Sequence, residues 1–231
     1  SIKLNGKKLV PVDSVKYLGM YIDKHLCWDT HIFHLSQKLS RANGILSKLR
    51  HNAPRNVCLN VYYALFYPHL IYGCNIWGIT TEDNLDKIVK LQKKCVRILT
   101  FSDFDSHANP LFIDLKILKV HDVIKLQQLK LAYEYFNNLI PQDLRTFFNC
   151  SFETHTSTLA SLSSVQKSCL TIPSIKTVHS GNKSLKFQCA SLWNHFMTKK
   201  IPLRAKPKTF EKNVIPNLDM KLIFNVNQFL R

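Results

Sequence analysis

The side chains in this chain best placed to do chemistry are cations. Lys87, Lys90, Lys93, Lys94 and Arg97 recur at steps that a helix gathers into one sector of roughly 120°. Lys38, Arg41 and Lys48, with His31 and His34, repeat the pattern earlier in the chain. Rows of like charge repel unless water or a polyanion neutralises them, and phosphates spaced about as far apart as helix turns make the arrangement favourable. Carboxylates offer less. Phosphoryl transfer with two metal ions needs acids that can hold two Mg²⁺ about 4 Å apart, and no Asp-Asp pair occurs in the sequence. Asp103, Asp105 and His107 form the one compact acid and histidine cluster. It supplies too few ligands from one loop, without the glycine of a calcium loop, so a turn in which Asp103 and Asp105 hold backbone amides is the plainer reading. Ten histidines occur, but no nucleophile motif such as Gly-x-Ser-x-Gly. We expect no catalytic residue, metal site or cofactor in this chain.

Composition points the same way. Thirty-two Lys and Arg against fifteen Asp and Glu give +17 and a pI near 9.7. That excess concentrates polyanions around the protein, with nucleic acid as the natural partner and an anionic membrane surface as the alternative. No apolar run approaches the ~20 residues needed to span a bilayer, and the first residues do not form a signal peptide. We therefore read a soluble, intracellular protein of the nucleus and cytoplasm, with no membrane partner. Seven isolated cysteines without a Cys-x-x-Cys spacing fit structural thiols in a reducing compartment, zinc being the minor alternative. With 45% hydrophobic residues and 14 Phe, the chain can bury a core.

The elements that must position these groups follow from periodicity. Asn5-Gly6 between short runs predicts a two-residue hairpin. Val15 to Asp23 is strand-like, with Gly19 as a break. From Asp29 or Thr30 as N-cap, Ile32, Leu35, Leu39, Ala42, Leu46 and Leu49 predict an amphipathic helix ending near Arg50, with His31, His34, Lys38, Arg41 and Lys48 on its outer face. Pro54 opens a second helix to about Tyr72, with a kink or break at Pro68. A third, capped by Thr80 or Thr81, runs from Leu85 to Leu99 and carries the cation stripe. Residues 101–110 read as a loop, and Val120 to Asn138 as a fourth helix. Tyr62, Tyr63, Tyr67, Tyr72 and Trp77 could stack on bases, but their spacing is more simply that of a core. Beyond Asn149 acidic residues vanish between Glu153 and Glu211, and Ser and Thr dominate 154–168. Short helices are expected again at 185–196 and from Thr209.

In that order the signals resemble a known family. Tyr17-Leu18-Gly19 with Trp28 and His31, the first basic helix, Tyr67-Pro68 to Gly73, and Gln92-Lys93-Lys94 with Arg97-Ile98 are similar to the segment after the catalytic palm in reverse transcriptases of non-LTR retrotransposons of the jockey and CR1 kind. Ser184, Phe187, Ala190, Leu192-Trp193-Asn194 and Phe210 with Lys212 look like the pattern that closes such polymerases. The resemblance implies a mainly α fold: a small N-terminal hairpin and strand (1–28, the end of a palm), a thumb-like helical bundle (29–149) and a looser basic C-terminal module of short helices (150–231). It implies that Tyr17, Leu18 and Gly19 lie at the primer terminus, and that Lys38, Arg41, Lys48, Lys87, Lys90, Lys93, Lys94 and Arg97 hold the backbone of an RNA template and DNA primer. The Mg²⁺ carboxylates would belong to a palm upstream, outside this chain, which alone would not polymerise. Two other readings stay open: a freestanding, non-catalytic nucleic-acid-binding protein derived from such an element, and a helical adaptor whose charge is incidental.

Overall fold

The computed structural model describes residues 3–8, 10–149, 169–174, 184–197 and 207–215. The fold is mainly α, as expected. β1 (Lys3–Leu4) and β2 (Lys7–Lys8) pair antiparallel around Asn5-Gly6, both with positive φ. The strand with a break is instead a second hairpin, β3 (Ser14–Tyr17) against β4 (Met20–Asp23), in register Val15 to Ile22 and Tyr17 to Met20. Leu18 at φ 45° and Gly19 at φ 82° make its tight turn. Two consecutive positive φ angles suit the right-handed strand twist, and glycine adopts the second without strain.

Helix α1 (Asp29–Leu49) has its N-cap at Trp28, φ 69°, one position before Asp29 and two before Thr30, the predicted caps. No side chain caps it, and the Asp23 carboxylate instead holds the segment that leads into it. It accepts from the amides of His25 (3.2 Å), Cys27 (2.9 Å) and Trp28 (2.7 Å), tying hairpin to helix. Pro54 precedes α2 (Arg55–Val61), which continues through a π-helical turn (Tyr62–Phe66) into α3 (Tyr67–Ile71). Pro68 lacks an N–H and cannot donate to the i to i−4 ladder, though its carbonyl accepts from the Tyr72 amide at 3.1 Å, and the chain passes it through the widened turn before it without a break. One helical turn, α4 (Cys74–Trp77), leads to α5 (Glu82–Thr100). Neither Thr80 nor Thr81 caps α5 with its side chain; Thr80 Oγ1 donates to Cys27 O at 2.7 Å.

Residues 108–110 are not loop but the first turn of α6 (Ala108–Leu115), where Pro110 needs no N–H. Helix α7 (Val120–Phe136) is followed by the short α8 (Gln142–Arg145). Two helices close the described chain, α9 (Leu185–Met197) and α10 (Pro207–Val214).

Two groups of buried side chains hold these elements. The first joins Trp28, and Ile32, Leu39 and Leu46 of the following α1, to Tyr62, Phe66, Trp77, Ile88, Leu99 and Phe112. The second joins Leu126, Leu129 and Tyr133 of α7 to Trp193, Phe196 and Phe210. Val120 and Ile124 reach the first group while Val123 and Leu126 reach the second, so α7 is apolar on more than one side. At roughly 1.5–3 kcal/mol per buried aliphatic or aromatic side chain, such packing dominates the fold's stability. Trp193 and Phe210 sit in that second group, Phe210 stacking on Tyr133 with centroids 4.3 Å apart. Asn194 pairs twice with the backbone of Leu170, donating to its carbonyl and accepting from its amide, both at 2.8 Å. The Ser- and Thr-rich stretch 154–168 lies outside the described residues.

Candidate nucleic-acid interface

The surface that carries the cation rows is built from α1 and α5, which pack against each other more extensively than any other helix pair. Three hydrogen bonds fix their direction. Asn84 Nδ2 donates to Asp29 Oδ1 (2.6 Å), Asn43 Nδ2 to Leu91 O (3.0 Å) and Arg50 Nη1 to Ile98 O (3.5 Å). Both helices therefore run the same way, and those residues mark the seam. At about 100° per residue, Lys87 and Lys94 lie within roughly 60° of the seam and Lys90 at roughly 100°. All three are exposed, and none pairs with a carboxylate among the described residues. Lys87 is oriented by Asn84, donating to its Oδ1 at 2.8 Å.

Alongside this ridge, α1 presents short side chains. Ser40 and Gly44 are exposed, and a β-carbon on Gly44 would meet nothing within 4 Å. A ridge of three exposed ammonium groups beside a shallow strip lets a polyanion come close to the helix backbone.

The other predicted cations are not gathered here. Lys93 is exposed but turned about 160° from the seam. Arg97 is half-buried, its Nε donating to Ser106 O at 2.9 Å, so its guanidinium anchors the loop after α5. Lys38, Arg41 and Lys48 are exposed but project roughly 130–150° from the seam. Lys38 lies instead on the side of α3, where its charge adds to burial in lowering the pKa of both His31 and His69.

His31 departs most from the sequence reading. It does not join the outer basic face but is buried, with its ring against Trp28 and Trp77. A wheel places it at the border of the two faces, and the hairpin covers that border. Its Nδ1 accepts from the Tyr21 amide at 3.4 Å, and Tyr21 stacks on His34 with centroids 3.9 Å apart. Burial, then Lys38 and His34, bring the His31 pKa down to about 4.

Tyr17, Leu18 and Gly19 sit at the hairpin tip, with Leu18 70% exposed. The tip is held from behind: the Tyr72 hydroxyl donates to Leu18 O, and the Tyr72 ring faces Gly19. The tyrosines divide as their spacing suggests, since Tyr62 is fully buried and burial pushes Tyr63 up to about 12, while Tyr72 is exposed. Cys74 and Cys189 are buried, and burial pushes both thiols up to about 12. Among the described residues no three His, Cys, Asp or Glu side chains converge as metal ligands. Nor is any helix among them long and apolar enough to cross a membrane.

Compared with known proteins, the chain is 30% identical over 152 residues, 62% of its length, to the RNA-directed DNA polymerase from mobile element jockey of Drosophila melanogaster. It is 30% identical over 122 residues to the probable RNA-directed DNA polymerase from transposon X-element of the same fly, and 27% identical over 128 residues to the jockey polymerase of Drosophila funebris. Its relatives are RNA-directed DNA polymerases of non-LTR retrotransposons. The second and third matches cover 50% and 54% of the chain respectively. The chain spans less than a fifth of each of these polymerases, 16%, 13% and 14%. No protein-family model and no solved structure matches the chain.

Two groups near the interface escape the sequence reading. Gly44 interrupts a strong helical pattern without a packing reason, a signal that the sequence does carry. Arg50 reads in sequence as the helix end alone, yet it reaches both Ile98 O and the ring of Phe101.

Proposed function

We propose that this chain is the duplex-gripping, thumb-like part of a retrotransposon RNA-directed DNA polymerase. The Lys87, Lys90 and Lys94 ridge of α5 lies along the phosphate backbone of an RNA template paired with a DNA primer, inside the cell, in nucleus and cytoplasm. The observation that carries this reading is the ridge itself: three exposed ammonium groups in line, without carboxylate partners among the described residues, on a chain of net charge +17. The relationship to RNA-directed DNA polymerases supports the choice of ligand. Recognition rests on charge and duplex shape, with little reading of base identity. Polymerisation requires Mg²⁺ held by acids of a palm domain elsewhere in the polyprotein, and no residue of this chain is assigned a chemical step. Tyr17, Leu18 and Gly19, held at the hairpin tip by Tyr72, face the primer end once that palm is attached.

The test is binding to an RNA–DNA hybrid at low salt by fluorescence anisotropy, with Lys87, Lys90 and Lys94 changed together to Glu. Loss of most of the affinity is expected. Unchanged affinity in the triple variant would sink the ridge as the binding surface, and no binding by the wild-type chain would favour the adaptor reading.

A further inference from the structure

Past the ridge, at the shared C-terminal end of α1 and α5, two aromatic rings stand in solvent. Phe101, 55% exposed, ends α5 with φ 56° and ψ 24°. This left-handed conformation is usually given to glycine because a β-carbon is strained in it. A bulky residue kept there with its ring in water points to a use for the ring. The Arg50 guanidinium lies 5.0 Å from its centroid, and the His51 ring meets it edge-on at 6.1 Å. Arg50 is itself held, by Ile98 O and by His51 Nε2 at 3.3 Å. Phe104 follows three residues later, 82% exposed, so the two Cα atoms are at most about 11 Å apart.

Exposed flat rings beside cations are how sequence-tolerant sites for single strands are made, since every base has a face to stack. Asp103 and Asp105 share the loop and are exposed, which keeps phosphates off the loop and on the side of Arg50 and Lys94. The ridge leads to this end, with Lys94 about two turns before Phe101, roughly 10 Å along the axis.

We propose that Phe101 and Phe104, with Arg50 and His51, form a stacking platform for unpaired nucleotides of a strand that continues beyond the duplex held by α5. This rests on the duplex-binding reading above, and the test separates the two. A blunt RNA–DNA hybrid and one with a single-stranded extension carrying 2-aminopurine are titrated with the wild-type chain and with a Phe101→Gly, Phe104→Ala double variant. Glycine relieves the backbone at 101 and Phe104 is exposed, so the variant should fold, which its circular dichroism checks. The wild type should bind the extended hybrid about tenfold more tightly than the blunt one and quench the 2-aminopurine, and the variant should lose both the preference and the quenching. Equal binding of the two hybrids by the wild type, or an unchanged preference in the variant, overturns the platform and leaves the ridge standing. Failure of the wild type to bind either hybrid removes the duplex reading and the platform with it.

Discussion

His31 shows how a single side chain connects hairpin and bundle. Its folded pKa of about 4 lies below the ordinary 6.5, so the folded state takes up its proton later than the unfolded chain. Its contribution to stability is fully present above pH 6.5 and is lost as pH falls from 6.5 towards 4, by up to roughly 3 kcal/mol. His31→Asn keeps an acceptor for the Tyr21 amide but cannot titrate, and should flatten that limb of a urea-denaturation profile. Identical acid limbs in both proteins would show that another group is responsible. Gly44 makes the second case. On an exposed helical surface with open space beyond it, alanine should stabilise the fold by about 1 kcal/mol. If the proposed hybrid lies close over this strip, Gly44→Ala should melt higher and bind the hybrid less tightly; undiminished binding would place Gly44 outside the interface.

Among the polar groups that join elements, Gln92 makes two bonds to buried backbone. Buried on α5, it donates to Leu118 O at 2.8 Å and accepts from the Val120 amide at 3.0 Å, meeting the first turn of α7. Gln92→Leu strands both backbone groups and should cost about 2–4 kcal/mol, read from the denaturation midpoint, with α7 losing hydrogen-exchange protection first. A change under about 0.5 kcal/mol would contradict this coupling.

Among the elements much is legible in the sequence and some is not. The one-sided pattern Leu85, Ile88, Cys95, Leu99 determines α5 because one face is buried and the other wet. The hairpin at Leu18-Gly19 is hidden because a left-handed leucine is uncommon in such a turn, and the contact from Tyr72 to its carbonyl comes from 54 residues away in sequence. Helix α6 is hidden because Asn109-Pro110 reads as a breaker, although a first-turn proline removes no hydrogen bond. The cations themselves can be named from sequence. Which of them share a face cannot, since that depends on the α1–α5 seam, and the seam separates Lys38, Arg41 and Lys48 from Lys87, Lys90 and Lys94.

For the whole molecule, a chain of net charge +17 brings no described cluster of acids to hold catalytic metal and a bundle whose outer side presents an ammonium ridge. On the function proposed above, that ridge is what holds the polyanion. The most direct measurement is the salt dependence of hybrid binding by the wild type and by the Lys87→Glu, Lys90→Glu, Lys94→Glu variant. If the ridge lies on phosphates, log affinity should fall linearly with log salt, and the variant's slope should be shallower by about 3, roughly one unit for each phosphate left unneutralised. A wild-type affinity indifferent to salt, or equal slopes in the two proteins, would contradict the account.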